Sequence, residues 1–211
     1  MIRELREASI EAAVAMNASG INQGTSGNIS VRTDDGMLIT PSGMPYCSLA
    51  PDDLVLVSMD GAISGQREPS SEWRFHRDIY RERDDAQAIV HAHPDYCVTL
   101  ACLGRAIPAF HYMVAAAGGH DIRCSAYATF GTQQLSDHVL KALQGRKACL
   151  MANHGLVCLE RNLPRALALA IEVEHLAKAY CHCLAIGEPV ILDDAEMGRV
   201  LEKFKSYGPR D

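Results

Sequence analysis

AIVHAHP, residues 88–94, reads as a buried strand that Pro94 brings to an end. Its two histidines, His91 and His93, stand two apart. On a strand that spacing sends both side chains to one face, about 7 Å apart along the chain. Upstream, Ser70-Ser71-Glu72 opens a helix running to about Arg83, with Trp73, Phe75, Ile79 and Tyr80 as its apolar contacts. Downstream, a short helix through Leu103 is expected.

The same reading extends to both ends. Residues 2–19 carry Leu5, Ala12 and Met16 at helical spacing before Gly20. GTSGNISVR (24–32) passes from a small-residue turn into a strand, and Asp34-Asp35-Gly36 signals a hairpin before MLIT (37–40). LVLVSM (54–59) is a further strand. IPAFHYM (107–113) and YATFG (127–131) read as extended, 132–144 as helical, and ACLMANHG (148–155) and LVCLE (156–160) as strands about a tight turn. Asn162 caps a long helix with Pro164 in its first turn, a stripe of Leu169, Val173, Leu176, Tyr180 and Leu184, and Gly187 at its end. A last helix covers 193–205. Strands interleave with helices and no linker divides the 211 residues, so one α/β domain with helices on both sheet faces is expected.

Composition narrows the function. Twenty basic against twenty-six acidic residues gives a net charge of −6 without a basic run, which argues against a sequence-independent grip on nucleic acid. No apolar stretch approaches the roughly 20 residues of a membrane helix, so no membrane partner is expected. The N-terminus lacks the apolar core of a signal peptide, and the eight cysteines form no CxxC pair. A cytoplasmic protein with free thiols is the expectation. The Cys181-His182-Cys183 pair lies in a helical pattern that turns the two thiols about 200° apart, so it is a poor metal site.

His91 and His93 could converge on one ion, with His154 of Asn153-His154-Gly155 as a third imidazole from another strand end. The bland alternative is separate, satisfied histidines, as expected of His138, His175 and His182 within helices. Glu72 is the candidate carboxylate for proton work, although from pattern alone a first-turn capping role prevails. Three small polar turns, Gly24-Thr25-Ser26-Gly27-Asn28, Pro41-Ser42-Gly43 and Pro69-Ser70-Ser71, could together cradle a phosphate without a lysine.

Seven segments in order, NQGTSGNISVR (22–32), ITPSGMPY (39–46), PSSEWRFH (69–76), VHAH (90–93), HYMVAAAGG (111–119), YATFGT (127–132) and NHG (153–155), resemble the class II aldolase/adducin family. The resemblance runs from the first helix to LEKFKSYG (201–208). It implies a single three-layer α/β/α domain over 1–211 with a largely antiparallel sheet, assembled as a homotetramer with sites between subunits. It further implies a Zn2+ site (Mn2+ or Co2+ as alternatives) held by His91, His93, His154 and Glu72, with Glu72 also the base. Gly27, Asn28, Ser42, Gly43, Ser70 and Ser71 match the phosphate pocket, and Tyr112 matches the proton donor supplied by the neighbouring subunit. Phe130, Phe204 and Tyr207 match residues near the aldehyde end. The implied reaction is cleavage of a small phosphorylated sugar, L-fuculose 1-phosphate first among them, to dihydroxyacetone phosphate and an aldehyde. The nearest alternative within the resemblance is an aldolase for 5-deoxyribulose 1-phosphate or 5-methylthioribulose 1-phosphate; sugar-phosphate 4-epimerase, dehydratase and non-catalytic interaction roles occur on the same scaffold. Ser42 departs from the pattern, standing where threonine is common.

Overall fold

A computed structural model describes residues 2–205; Tyr207 lies outside them. In chain order the elements are α1 (Ile2–Ala18), β1 (Asn28–Thr33), β2 (Gly36–Ile39), β3 (Val55–Val57), β4 (Ile63–Ser64), α2 (Trp73–Glu82), β5 (Ala88–Ala92) and α3 (Asp95–Cys102). There follow β6 (Arg123–Ser125), α4 (Gln133–Leu143), β7 (Ala148–Met151), β8 (Gly155–Glu160), α5 (Leu163–Ile186) and α6 (Asp194–Phe204). The strands form one sheet in the order β4-β3-β2-β1-β5-β8-β7-β6. Among the described strands only β6 and β7 run parallel; every other pairing is antiparallel.

The period of two along each strand sorts the core into two layers. Ala88, Val90 and Ala92 of β5, with Leu156 and Cys158 of β8, meet the helices α1, α3, α5 and α6. Ile89, Val157 and Leu159 turn the other way, onto Phe75 and Ile79 of α2 and Leu135 and Val139 of α4. Burial of each such Val, Leu or Ile stabilises by roughly 1.5–3 kcal/mol relative to exposure. His91 follows Ile89 and is fully buried on the α2 side, edge-on to Phe75 at a centroid distance of 5.5 Å. The three-layer α/β/α arrangement and its mostly antiparallel sheet are as the resemblance implied.

Two of the expected extended segments are not strands. In 107–113 only Ile107 makes a ladder contact, with Ile122, and Tyr112–Ala117 closes into 3-10 turns stopped by Gly118 at φ +86°. Pro108 has no N–H to extend a ladder, and the Ala-rich run favours the turn. Residues 127–131 pair with no strand; the Thr132 hydroxyl and amide fold back onto the Thr129 carbonyl and start α4 instead. The two- and three-residue strands β4 and β6 were too short to carry a readable pattern. The cap of α5 formed as read, with Asn162 Oδ1 accepting from the Arg165 amide at 3.0 Å. All eight cysteines are free.

Candidate active site

The site assembles where β5 stops. His91 is its last inward residue, and His93 follows one step beyond the strand. Asn28 at the start of β1 lies opposite His91 in the ladder. His154 comes from the β7–β8 turn, which Asn153 shapes by adopting a left-handed backbone (φ 54°), a conformation that asparagine tolerates better than most residues. Glu72 immediately precedes α2. It occupies the cap position yet makes no side-chain cap bond, because its carboxylate turns away from the helix towards the histidines. The capping role favoured by the pattern is therefore not the one adopted.

The geometry is tight. Glu72 Oε2 lies 2.9 Å from His91 Nε2, and Glu72 Oε1 lies 3.2 Å from His154 Nε2. His93 Nε2 lies 2.9 Å from His91 Nε2. The three imidazole centroids stand 4.7, 4.9 and 4.8 Å apart, each pair edge-on. One donor atom from each of the four residues falls within 4.8 Å of all the others. The His91 Nδ1–H donates to the Leu156 carbonyl at 2.7 Å, which leaves Nε2 to face the cluster, the orientation a metal-bound imidazole needs. Asn28 Nδ2 donates to Glu72 Oε2 at 3.1 Å, whereas Oε1 is buried without a hydrogen-bond partner.

These atoms fit a divalent cation. Facing imidazole nitrogens without a proton repel unless a cation lies between them, and a buried orphan carboxylate oxygen asks for the same partner. Burial, with His91 and then His154 beside it, pushes the His93 imidazole down to about 3. Burial and His91 push His154 down to about 4, so both present lone pairs at neutral pH. For Glu72 burial works upwards, but His91, its hydrogen bond, His154 and Asn28 prevail and hold the carboxyl near 2. His91 goes the other way: burial would lower it, while the Glu72 charge and hydrogen bonds to Glu72 and Leu156 raise it.

Above the cluster is a cleft of about 440 Å3. Ser42, Gly43, Ser71 and Phe130 line it as the sequence suggested, together with Thr25 and Ser26 of the first small polar turn and with Tyr127, which no motif marked as a site residue. Asn28 and Ser70 face inwards instead, Asn28 Nδ2 donating to Ser70 Oγ at 2.9 Å while Ser70 Oγ also meets the Glu72 amide at 3.3 Å. Gly27 has no room for a side chain: a Cβ would sit 2.6 Å from the His91 carbonyl oxygen. Its own carbonyl accepts a hydrogen bond from the Tyr46 hydroxyl. Tyr112 and Phe204 are not in this cleft. They line a separate cavity of about 780 Å3 with Phe110, Leu192 and Arg199, and Tyr112 is half exposed. His120 pairs with Asp194 at 2.9 Å, away from the cluster.

A family model described as the class II aldolase and adducin N-terminal domain matches residues 7–181. The chain belongs to the class II aldolase and adducin family. It is 57% identical over 204 residues to a 5-methylthioribulose-1-phosphate/5-deoxyribulose-1-phosphate aldolase of Rhodospirillum rubrum, covering 97% of this chain and 92% of that one. To an L-fuculose phosphate aldolase of Escherichia coli (strain K12) it is 52% identical over 202 residues, covering 95% and 94%. A solved structure of an L-fuculose 1-phosphate aldolase superposes with a TM-score of 0.93 at 42% identity, covering 96% of each chain. Membership makes the chain an aldolase-type lyase. Aldolases of this class use a divalent metal, and Glu72, His91, His93 and His154 form the group able to hold one among the described residues.

Two outcomes follow from this geometry. Gly155 passes beneath His93, and a Cβ there would lie 2.4 Å from the Ala92 carbonyl oxygen and 2.7 Å from His93 Cδ2. Gly155→Ala should therefore displace His93 and weaken metal binding by roughly 10–100-fold, read by metal titration; unchanged affinity would show that His93 is not held there. The second concerns pH. Because Glu72 raises His91 above its ordinary value, the metal-free site carries a proton that the ion must expel. Metal affinity should fall about tenfold per pH unit below the His91 pKa, with one proton released per ion bound. Calorimetry in buffers of different ionisation enthalpy measures that proton directly, and no release at pH 6 would contradict the assignment.

Proposed function

We propose that the chain is a metal-dependent ketose-1-phosphate aldolase. Its reaction would be the reversible cleavage of L-fuculose 1-phosphate to dihydroxyacetone phosphate and L-lactaldehyde. The observation that carries this reading is the Glu72 carboxylate set among three imidazoles at the floor of a hydroxyl-lined cleft. Among the described residues that line the cleft there is no lysine, so the side chain a Schiff-base route requires is not at hand. The 57% identity to the Rhodospirillum enzyme favours a second reading equally: 5-deoxyribulose or 5-methylthioribulose 1-phosphate, cleaved at the same bond.

In this reading His91, His93 and His154, with Glu72 in the resting site, hold Zn2+, with Mn2+ or Co2+ as alternatives. The ion supplies Lewis acidity to the ketose carbonyl and its neighbouring hydroxyl. Phosphate falls to the hydroxyls and amides of Gly27, Asn28, Ser42, Gly43, Ser70 and Ser71. Of these, Ser42, Gly43 and Ser71 face the cleft, with the N-terminus of α2 behind them. Anchoring the remote phosphate holds the reacting carbons in register.

Cleavage between C3 and C4 needs the C4 hydroxyl to lose its proton and C3 to gain one. Glu72 returns the proton to C3, and Tyr112 takes the one from the hydroxyl; in condensation both transfers reverse. Because Tyr112 lies outside its own chain's cleft, a second copy has to supply it, which supports a homotetramer with active sites between subunits. Phe130 at the cleft rim, with Phe204 and Tyr207, would wall the aldehyde end. One methylene there is worth only about 1–3 kcal/mol, so related sugars compete closely. The chain acts as one catalytic domain, and its eight free thiols suit the cytoplasm.

The deciding assay is release of dihydroxyacetone phosphate from L-fuculose 1-phosphate and 5-deoxyribulose 1-phosphate, with and without a chelator. Chelator-sensitive cleavage is expected, and the ratio of kcat/KM selects the sugar. No cleavage of either by metal-loaded protein would turn the reading to a sugar-phosphate epimerase, a dehydratase or an interaction module. Glu72→Gln should keep metal on the three histidines while kcat drops by about 10²–10⁴. His93→Ala should lose the ion, and a variant that purifies fully metallated would overturn that ligand.

A further inference from the structure

Behind the Glu72 carboxylate lies a row of side chains in which Ser30, His76 and Tyr80 have no part in the reaction above. Glu72 at the cap position of α2 and His76 and Tyr80 within it follow one another at four-residue spacing, which puts them on one side of the helix. Asn28 and Ser30 stand two apart on the facing side of β1. Together they make one unbroken chain of hydrogen bonds. Tyr80 OH lies 2.9 Å from Ser30 Oγ, Ser30 Oγ lies 2.7 Å from His76 Nδ1, and His76 Nε2 lies 2.5 Å from Asn28 Oδ1. Asn28 Nδ2 then reaches Glu72 Oε2 at 3.1 Å. Exposure along the chain is 0% at Ser30 and His76, 1% at Tyr80, 2% at Asn28 and 5% at Glu72, so the row is shut off from bulk water.

Donor and acceptor roles pass along this chain from its charged end. A carboxylate accepts only, so Asn28 must present its NH2 to Glu72 and its oxygen to His76. That oxygen also accepts only, so the ring proton of the neutral His76 must sit on Nε2. Nδ1 is then an acceptor, which the Ser30 hydroxyl satisfies by donating, and the Tyr80 hydroxyl donates in turn to Ser30. Turned over by 180°, the Asn28 amide would set oxygen against carboxylate and NH2 against N–H. Two mismatched contacts in a dry site are costly, and cooperative polarisation favours the single consistent arrangement.

We propose that His76 is a positioning residue for Glu72: fixed in its Nε2–H tautomer by Ser30 and Tyr80, it locks the Asn28 amide, which in turn aims the carboxylate. This rests on the reading of Glu72 as the group that moves the C3 proton. A histidine that merely fills the core would affect stability alone. A positioning residue slows proton transfer in protein that is folded and metallated.

The test uses metal-loaded full-length protein carrying His76→Phe or His76→Gln. Phenylalanine keeps the ring stacked on Phe75, now at a centroid distance of 4.5 Å, and removes both nitrogens. Glutamine returns an amide donor towards Asn28. Three readouts are needed: uptake of solvent deuterium at C3 of dihydroxyacetone phosphate, the kcat and KM of cleavage, and metal content with the thermal midpoint. His76→Phe is expected to bind a full complement of metal and to lose roughly 10–100-fold in exchange rate and kcat, with KM little changed. His76→Gln should recover much of that loss. Ser30→Ala removes one hydroxyl from the same chain and should slow exchange in the same direction, which keeps the test open where His76→Phe does not fold. Exchange at the wild-type rate in metallated His76→Phe or Ser30→Ala overturns the proposal, as does a loss that tracks only the folded fraction. Wild-type metallated protein that brings no deuterium into C3 of dihydroxyacetone phosphate would instead remove the aldolase reading, and this proposal with it.

Discussion

A carboxylate and three imidazoles within 4.8 Å of one another, mostly shut off from water, cannot rest side by side without a proton or a cation among them. The chain accepts that cost at one place and arranges its architecture to hold it. β5 lies inside the sheet, so the backbone of His91 is fixed by ladders on both sides. The Leu156 carbonyl on one neighbouring strand sets its tautomer, while Asn28 on the other holds its carboxylate partner. A loosely held loop could not keep four such groups in register.

The two sheet faces divide the work. Towards α1, α3, α5 and α6 the strands present an apolar layer interrupted little by polar groups. Towards α2 the apolar layer gives way at its upper end to Asn28, Ser30, His76, Tyr80 and Glu72, all buried and all bonded to one another. Such a network stays affordable only when every member is satisfied. The buried atom left over, Glu72 Oε1, is the one aimed at the site where a cation fits. The polar interior and the metal centre are thus one construction.

Close backbone approach is the other requirement. Gly27 packs against the His91 carbonyl and Gly155 against the Ala92 carbonyl and the His93 ring, so neither tolerates a Cβ without movement of a ligand. These glycines were visible in the motifs but not their reason, since contact between the 24–28 turn and β5 is a tertiary fact. Tyr127 as a lining residue was hidden for the same cause, whereas Thr25 and Ser26 belong to a turn whose composition already marked it. The segments 107–113 and 127–131 read as extended because their apolar and aromatic residues suit strands, yet neither found a ladder partner and local turns took over.

By itself the sequence determined the alternation of strands and helices, the buried strand ending at Pro94, the two-residue spacing of His91 and His93, and the family to which the ordered motifs point. These are local properties, written in periodicity, turn residues and short-range spacing. Pattern alone left Glu72 better explained as a cap and Asn28 and Ser70 as members of small polar turns, and it gave His76 no role. Only the tertiary structure turned the Glu72 carboxylate off its helix, joined His76 to it through Asn28, and set Tyr112 in a cavity apart from its own chain's cleft. Those outcomes depend on which strands pair and which faces meet across more than forty residues of chain, where no spacing rule reaches and where burial makes each remaining polar partner count.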